Sequence, residues 1–187
     1  MSEAEILTGN VDLKGRKQLF DAGGGAGTYS LFLVRRYPGL RAIVFDLPAT
    51  AEIATEVIAE SGLQDHITFR AGDYFRDDFG HGNDVVLLSF VLHLMGPQRC
   101  MLLLRKSFDS LASGGLVVVH EGLIEPHGMS PVWAALFSLN LLVVTGEGRS
   151  YSGREISALM RAAGFAKPEV RPLPAPVNTS LVIATKP

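Results

Sequence analysis

The sequence predicts a doubly wound α/β fold, with a mostly parallel sheet and an antiparallel strand at its C-terminal end. Three features carry this expectation. Apolar runs of strand length alternate with segments of helical period from residue 17 to residue 120. A turn with four glycines in five positions, Gly23 to Gly27, stands where the first of those runs gives way to a helix. The last two strand-like runs lie too close together for a crossover helix between them, so they should pair antiparallel.

Lys17 to Ala22 reads as a short strand entering the glycine turn, and Thr28 to Tyr37 as a helix stopped by Pro38-Gly39. Arg41 to Asp46 (RAIVFD) is the second strand, after which Pro48 opens a helix that ends at Ser61-Gly62. His66 to Ala71 is the third strand. Asp84 to Phe90 (DVVLLSF), apolar on both faces, reads as a central parallel strand. A helix from Pro97 to Leu111 ends at Ser113-Gly114-Gly115, and Leu116 to His120 is the fifth strand. Beyond Glu121 the pattern turns helical from about Pro131 to Val144, passes a loop TGEGRS, and resumes as a helix from Ser152 to Ala163. Pro168 to Pro172 and Ser180 to Thr185 supply the two closing strands.

At 187 residues, 47% hydrophobic and 19% charged, the chain reads as a single globular domain rather than a disordered segment. Its formal net charge of -2 is spread without a basic run, which argues against nucleic acid. Cys100 is the only cysteine, so an internal disulfide and a cysteine-based zinc cluster are excluded and a reducing, cytoplasmic setting is expected. No stretch approaches the length needed to span a bilayer. The longest apolar segment, residues 131 to 144, is interrupted by Ser138 and Asn140 and reads as a core or pocket helix.

The glycine turn admits two readings, a tight turn without a ligand and a backbone that lets a ligand approach closely; four glycines favour the ligand. A dinucleotide fingerprint needs glycines at relative positions one, three and six. Counted from Gly23 the sixth position is Thr28, and counted from Gly24 the third is Ala26, which disfavours NAD. Asp46 ends the second strand 21 residues beyond Gly25, where a carboxylate can accept hydrogen bonds from ribose hydroxyls. Asp73 ends the third strand beside the flat side chains of Tyr74 and Phe75, a setting that suits adenine. Each aspartate alone reads equally as a turn former.

Taken together, LFDAGGGAG, VFDLP, AGDYF, SFVLHLMGPQRC and SGGLVVVHEGLIEP resemble the successive motifs of the plant and bacterial small-molecule O-methyltransferases, and the resemblance runs from about residue 5 to the C-terminus. It implies a Rossmann-like methyltransferase sheet, S-adenosylmethionine as cofactor, a phenolic small-molecule acceptor and no metal. It places Asp21, Gly23, Gly25, Asp46, Leu47, Asp73, Tyr74 and Ser89 at the cofactor, Ser89 standing where plant members often carry a lysine. His93 falls at the position of the catalytic base and Glu121 at that of the carboxylate that orients it. An imidazole with an ordinary pKa near 6.5 is largely neutral at physiological pH and can take a proton from a phenol.

The chain departs from that pattern in three places. His93-Leu94-Met95 replaces the usual His-Asp-Trp, and Ser150 stands where the family has a second glutamate, with Glu147 nearby but out of register. Family members also carry a dimerising helical domain ahead of this region, so residues 1–16 are expected to be the remnant of a linker to it. Trp133, Phe137 and Asn140 share one helix face and are candidates to line the acceptor pocket, or a core stripe. These departures leave open a cofactor-binding domain without turnover of its own. A nicotinamide oxidoreductase is the remaining, weaker alternative.

Overall fold

The computed structural model describes residues 2–187. In chain order the elements are α1 (Glu3–Asn10), β1 (Gln18–Ala22), α2 (Thr28–Arg36), β2 (Arg41–Asp46), α3 (Ala51–Glu60), β3 (Ile67–Ala71), β4 (Asn83–Ser89), α4 (Pro97–Ser110), β5 (Leu111–Glu121), α5 (Val132–Thr145), α6 (Gly153–Ala162), β6 (Ala166–Pro172) and β7 (Ser180–Thr185). Short 3-10 turns precede α3 at Pro48–Thr50 and α4 at Leu92–Leu94.

The seven strands form one sheet in the order β3-β2-β1-β4-β5-β7-β6. Strands β1 to β5 pair in parallel, whereas β7 is antiparallel to both β5 and β6. Successive side chains on a strand point to opposite faces, so each strand feeds two cores. Leu19, Leu87, Val118 and Leu181 face α1, α2 and α3 through Leu7, Leu31 and Ile58. Phe20, Val86, Val119 and Val182 face α4 and α6 through Leu103, Leu104, Ile156 and Met160. Helices on both faces make the sheet doubly wound, as expected.

Four local differences have physical causes. The segment before Lys17, which lacks a clear apolar period, contains helix α1, started by a capping box in which Ser2 and Glu5 each bond the other's backbone N–H. Ile6, Leu7, Val11 and Leu13 are buried against the α2 face. Strand β5 begins at Leu111 rather than Leu116, because the Ser-Gly-Gly helix terminator sits inside an irregular stretch between the Asn83–Leu111 and Val85–Leu116 pairings. Strand β4 ends at Ser89 because Phe90 adopts a left-handed backbone, φ 57°. Strand β6 begins at Ala166, two residues before the expected Pro168.

Of the two expectations for this segment, core helix or pocket helix, α5 does not fit the first. Only Ala134 and Leu141 are buried on it, while Leu136, Leu139, Val143 and Val144 are exposed, the last two at 85% and 74%. Among the described residues no helix is long and apolar enough to cross a membrane.

Candidate active site

Strand β1 lies between β2 and β4, and its following connection passes to one face of the sheet while that of β4 passes to the other. Such a switch point opens a crevice beyond the strand tips. The glycine turn fills its floor. Gly23 donates its N–H to the Phe45 carbonyl at 2.7 Å, which ties the turn to the end of β2. Its φ of 77° is left-handed, and a Cβ there would lie 2.8 Å from Cγ2 of Val91. Gly25, φ 55°, has no neighbouring atom within 4 Å on the side where a Cβ would project. The backbone therefore offers a bare surface to the crevice at Gly25.

Two carboxylates brace this turn. Asp46 accepts the Gly25 N–H on Oδ2 and the Leu47 N–H on Oδ1, each at 2.7 Å. A carboxylate has about four acceptor sites, so capacity for hydroxyl donors remains. Asp21 is fully buried and accepts the Ser30 hydroxyl on Oδ2 at 2.7 Å, but its Oδ1 has no partner among the described residues. Burial pushes its pKa up to about 6; the Ser30 hydrogen bond works against that rise and the charge of Asp46 adds to it. A buried acceptor without a donor is costly, and a cationic donor entering the crevice would satisfy it.

The other expected cofactor residues separate into two groups. Tyr74 joins the cradle: its ring carbon lies 3.8 Å from where a Gly23 Cβ would be, and burial, then Asp46 and Asp73, raise its hydroxyl pKa. Ser89 is buried at the tip of β4, with Oγ 2.9 Å from Nδ1 of His120. Leu47 is exposed at the crevice lip. Asp73 instead serves its own loop, accepting the Phe75 N–H on Oδ1 at 2.8 Å while Oδ2 lies 3.5 Å from Nε of Arg76. Asp73 thus makes turn-forming contacts, and like Asp46 its carboxylate keeps capacity for a further donor.

On the opposite face, the left-handed Phe90 turns the chain into the 3-10 turn that carries His93. Nδ1 of His93 lies 2.7 Å from Oε2 of Glu121, and the backbone N–H of His93 donates to Oε1 of the same carboxylate at 3.2 Å. The His93 carbonyl accepts the Arg149 N–H at 2.9 Å, and the Met95 carbonyl accepts the Tyr151 hydroxyl at 2.7 Å. The turn is thus fixed from β5 and from the loop before α6. Both partners are buried, and rings of Phe90 and Phe137 stand 6.0 and 5.3 Å from the His93 ring.

The α5 candidates divide. Phe137 faces His93, and Trp133 closes on Gly122, where a Cβ would lie 2.5 Å from its ring. Asn140 is exposed. Ser150 is buried and donates to the Ala134 carbonyl at 2.9 Å, fastening the loop to α5, while Glu147 is exposed 4.0 Å from Arg99.

Sequence reasoning missed Ser30, Tyr29 and His120. Tyr29 sits edge-on to His120 at 5.4 Å, with its hydroxyl pKa pushed up to about 12 by burial and by Glu3. The available signal was position: Tyr29 and Ser30 open the helix after the glycines, and His120 ends an apolar strand.

Residues 2–166 match the family model described as the O-methyltransferase domain. The chain is 40% identical to the 3-hydroxy-5-methyl-1-naphthoate 3-O-methyltransferase of Streptomyces sahachiroi over 88% of this chain and 47% of that protein. It is 34% identical to the L-tyrosine C(3)-methyltransferase of Streptomyces lavendulae over 94% of this chain and 49% of that one. The crystal structure of human N-acetylserotonin methyltransferase with SAM superposes with a TM-score of 0.87 at 28% identity, covering 98% of this chain and 51% of that chain. The chain spans about half the length of the curated relatives it matches.

Proposed function

Since this chain belongs to the O-methyltransferase domain family, we propose that it binds S-adenosylmethionine in the glycine cradle and methylates a hydroxyl of a small aromatic acceptor. The observation that carries the reading is the His93–Glu121 pair, seated one strand tip away from that cradle. In this mechanism Gly23, Gly25, Asp46, Leu47 and Tyr74 hold the nucleoside portion, and Asp21 with Ser89 face the amino-acid end. Asp73 shapes the loop that carries Tyr74. When bound, the cofactor supplies a sulfonium methyl carbon that the acceptor oxygen attacks as the carbon–sulfur bond breaks.

His93 acts as general base, taking the hydroxyl proton on Nε2 as the oxygen attacks. Glu121, bonded to Nδ1, fixes the ring and stabilises the imidazolium that forms. Base assistance of this kind is worth about 10² to 10⁴ in rate. The rings of Phe90, Phe137 and Trp133 suit a flat acceptor held for in-line attack. A naphthoate 3-oxygen is the acceptor in the name of one relative, and C(3) of L-tyrosine in another, so oxygen as the attacking atom rests here on the His93 base.

A second reading, cofactor binding without turnover by this chain alone, is favoured by one feature: α5, which supplies the acceptor side, has an uncovered apolar face. Thermal shifts with S-adenosylhomocysteine and with NAD assign the cofactor, because a ligand that binds only the folded form stabilises it. Labelled methyl transfer to a panel of phenols then separates the two readings. Stabilisation by NAD and not by S-adenosylhomocysteine would overturn both.

A further inference from the structure

Asp21, Ser89 and His120 stand on one face of three neighbouring strands, β1, β4 and β5, at their C-terminal tips. From Ser89 a line of hydrogen bonds leads away from the crevice. Ser89 Oγ lies 2.9 Å from His120 Nδ1, and His120 Nε2 lies 2.9 Å from Thr179 Oγ1. Thr179 donates its hydroxyl to Oε1 of Glu3 at 2.9 Å, and that oxygen is 3.4 Å from His120 Nε2.

The proton positions follow from counting. A hydroxyl has one proton and Thr179 has given its own to Glu3, so toward His120 it accepts and Nε2 is the donor. His120 is fully buried, which pushes its pKa down to about 4, so at neutral pH the ring carries a single N–H. Nδ1 is then an acceptor, and the one proton of Ser89 is committed to it. Tyr29, whose hydroxyl also hydrogen-bonds Ser89 and stays protonated, donates to one lone pair, so Ser89 has one lone pair left for the crevice, on the same face as the unpartnered Oδ1 of Asp21.

We propose that His120 is a positioning residue: with its tautomer set by Thr179 and Glu3, it holds Ser89 as a hydrogen-bond acceptor for the ammonium at the amino-acid end of the cofactor. The inference rests on the cradle reading given above. It also gives α1 a function, since Glu3 carries the terminal carboxylate of the line.

S-adenosylhomocysteine, which retains that ammonium, is the probe. Titration calorimetry compares the unaltered chain with Thr179→Val, His120→Gln and His120→Asn. An asparagine amide can reach the place of Nδ1 and accept from Ser89, whereas a glutamine amide reaches that of Nε2 and cannot. Thr179→Val and His120→Gln should weaken binding about tenfold or more, and His120→Asn should recover most of that loss. Imidazole ¹⁵N shifts of the ligand-free protein should report the Nε2–H tautomer at His120, and its loss in Thr179→Val. Unchanged affinity in Thr179→Val and His120→Gln, an Nδ1–H tautomer in the unaltered chain, or losses that merely track lowered melting temperatures in all three variants would overturn the relay while leaving the cradle standing. An unaltered chain that fails to bind S-adenosylhomocysteine would instead remove the cradle reading itself.

Discussion

Glu121 holds His93 twice, through the ring at Nδ1 and through the backbone N–H, so one buried carboxylate sets both the rotation of the imidazole and the course of the turn that carries it. Replacing the ring and replacing its holder should therefore have different consequences. His93→Ala should lower kcat for phenol methylation by about 10² to 10⁴ while leaving S-adenosylhomocysteine affinity unchanged. Glu121→Gln should cost less on the proposed reading, because the imidazole remains while only its negatively charged holder is lost. Steady-state rates against pH, with calorimetry for the cofactor, check both.

Asp21 makes the ligand-free fold pH-dependent in a known direction. Its folded pKa of about 6 lies above the ordinary value of 3.8, so the native state binds the proton more tightly than the unfolded chain. Stability therefore falls as pH rises through the interval between those values and stays lower above it, by a few kcal/mol in order of magnitude. Asp21→Asn should melt higher than the unaltered chain at pH 7 and show little advantage at pH 4, and it should bind S-adenosylhomocysteine more weakly. Melting curves at the two pH values test the first part.

The glycine turn separates folding from binding at two of its positions. Gly23→Ala places a Cβ 2.8 Å from Val91 on a left-handed backbone and should lower the melting temperature. Gly25→Ala meets no atom within 4 Å, so only the left-handed conformation is penalised, by about 1 to 2 kcal/mol. The protein should fold, yet its cofactor affinity should drop further than that penalty explains, since the methyl enters the open side of the crevice. Paired melting and calorimetric measurements decide it.

Helix α5 should tolerate polar change on its bare face. Val143→Ser and Val144→Ser should leave the melting temperature nearly unmoved, whereas Leu141→Ala, at a buried position of the same helix, should cost about 2 to 5 kcal/mol. Chemical denaturation of the three variants provides the comparison.

The parts legible in the sequence were those encoded locally. Alternating apolar runs gave the strand order its raw material, Gly23 to Gly27 announced the crevice, and the position of His93 relative to Glu121 was readable through resemblance. What was not legible depends on contacts between distant segments. Helix α1 has no strong apolar face of its own and is defined by packing on α2. His120 acquires meaning only when β4, β7 and α1 converge on it. Asp73 makes the contact of one of its two readings, accepting the Phe75 N–H in a turn, and that contact does not exclude the other.

The left-handed Phe90 has a further effect. By turning the chain immediately after Ser89, whose hydroxyl faces one side of the sheet, it sends the imidazole four residues later to the other. On the proposed reading the acceptor oxygen therefore lies beyond the strand tips, where the two sides of the sheet meet. On that reading, side chains around α5 can be exchanged without touching the glycine cradle, a separation that fits relatives whose names carry such different acceptors.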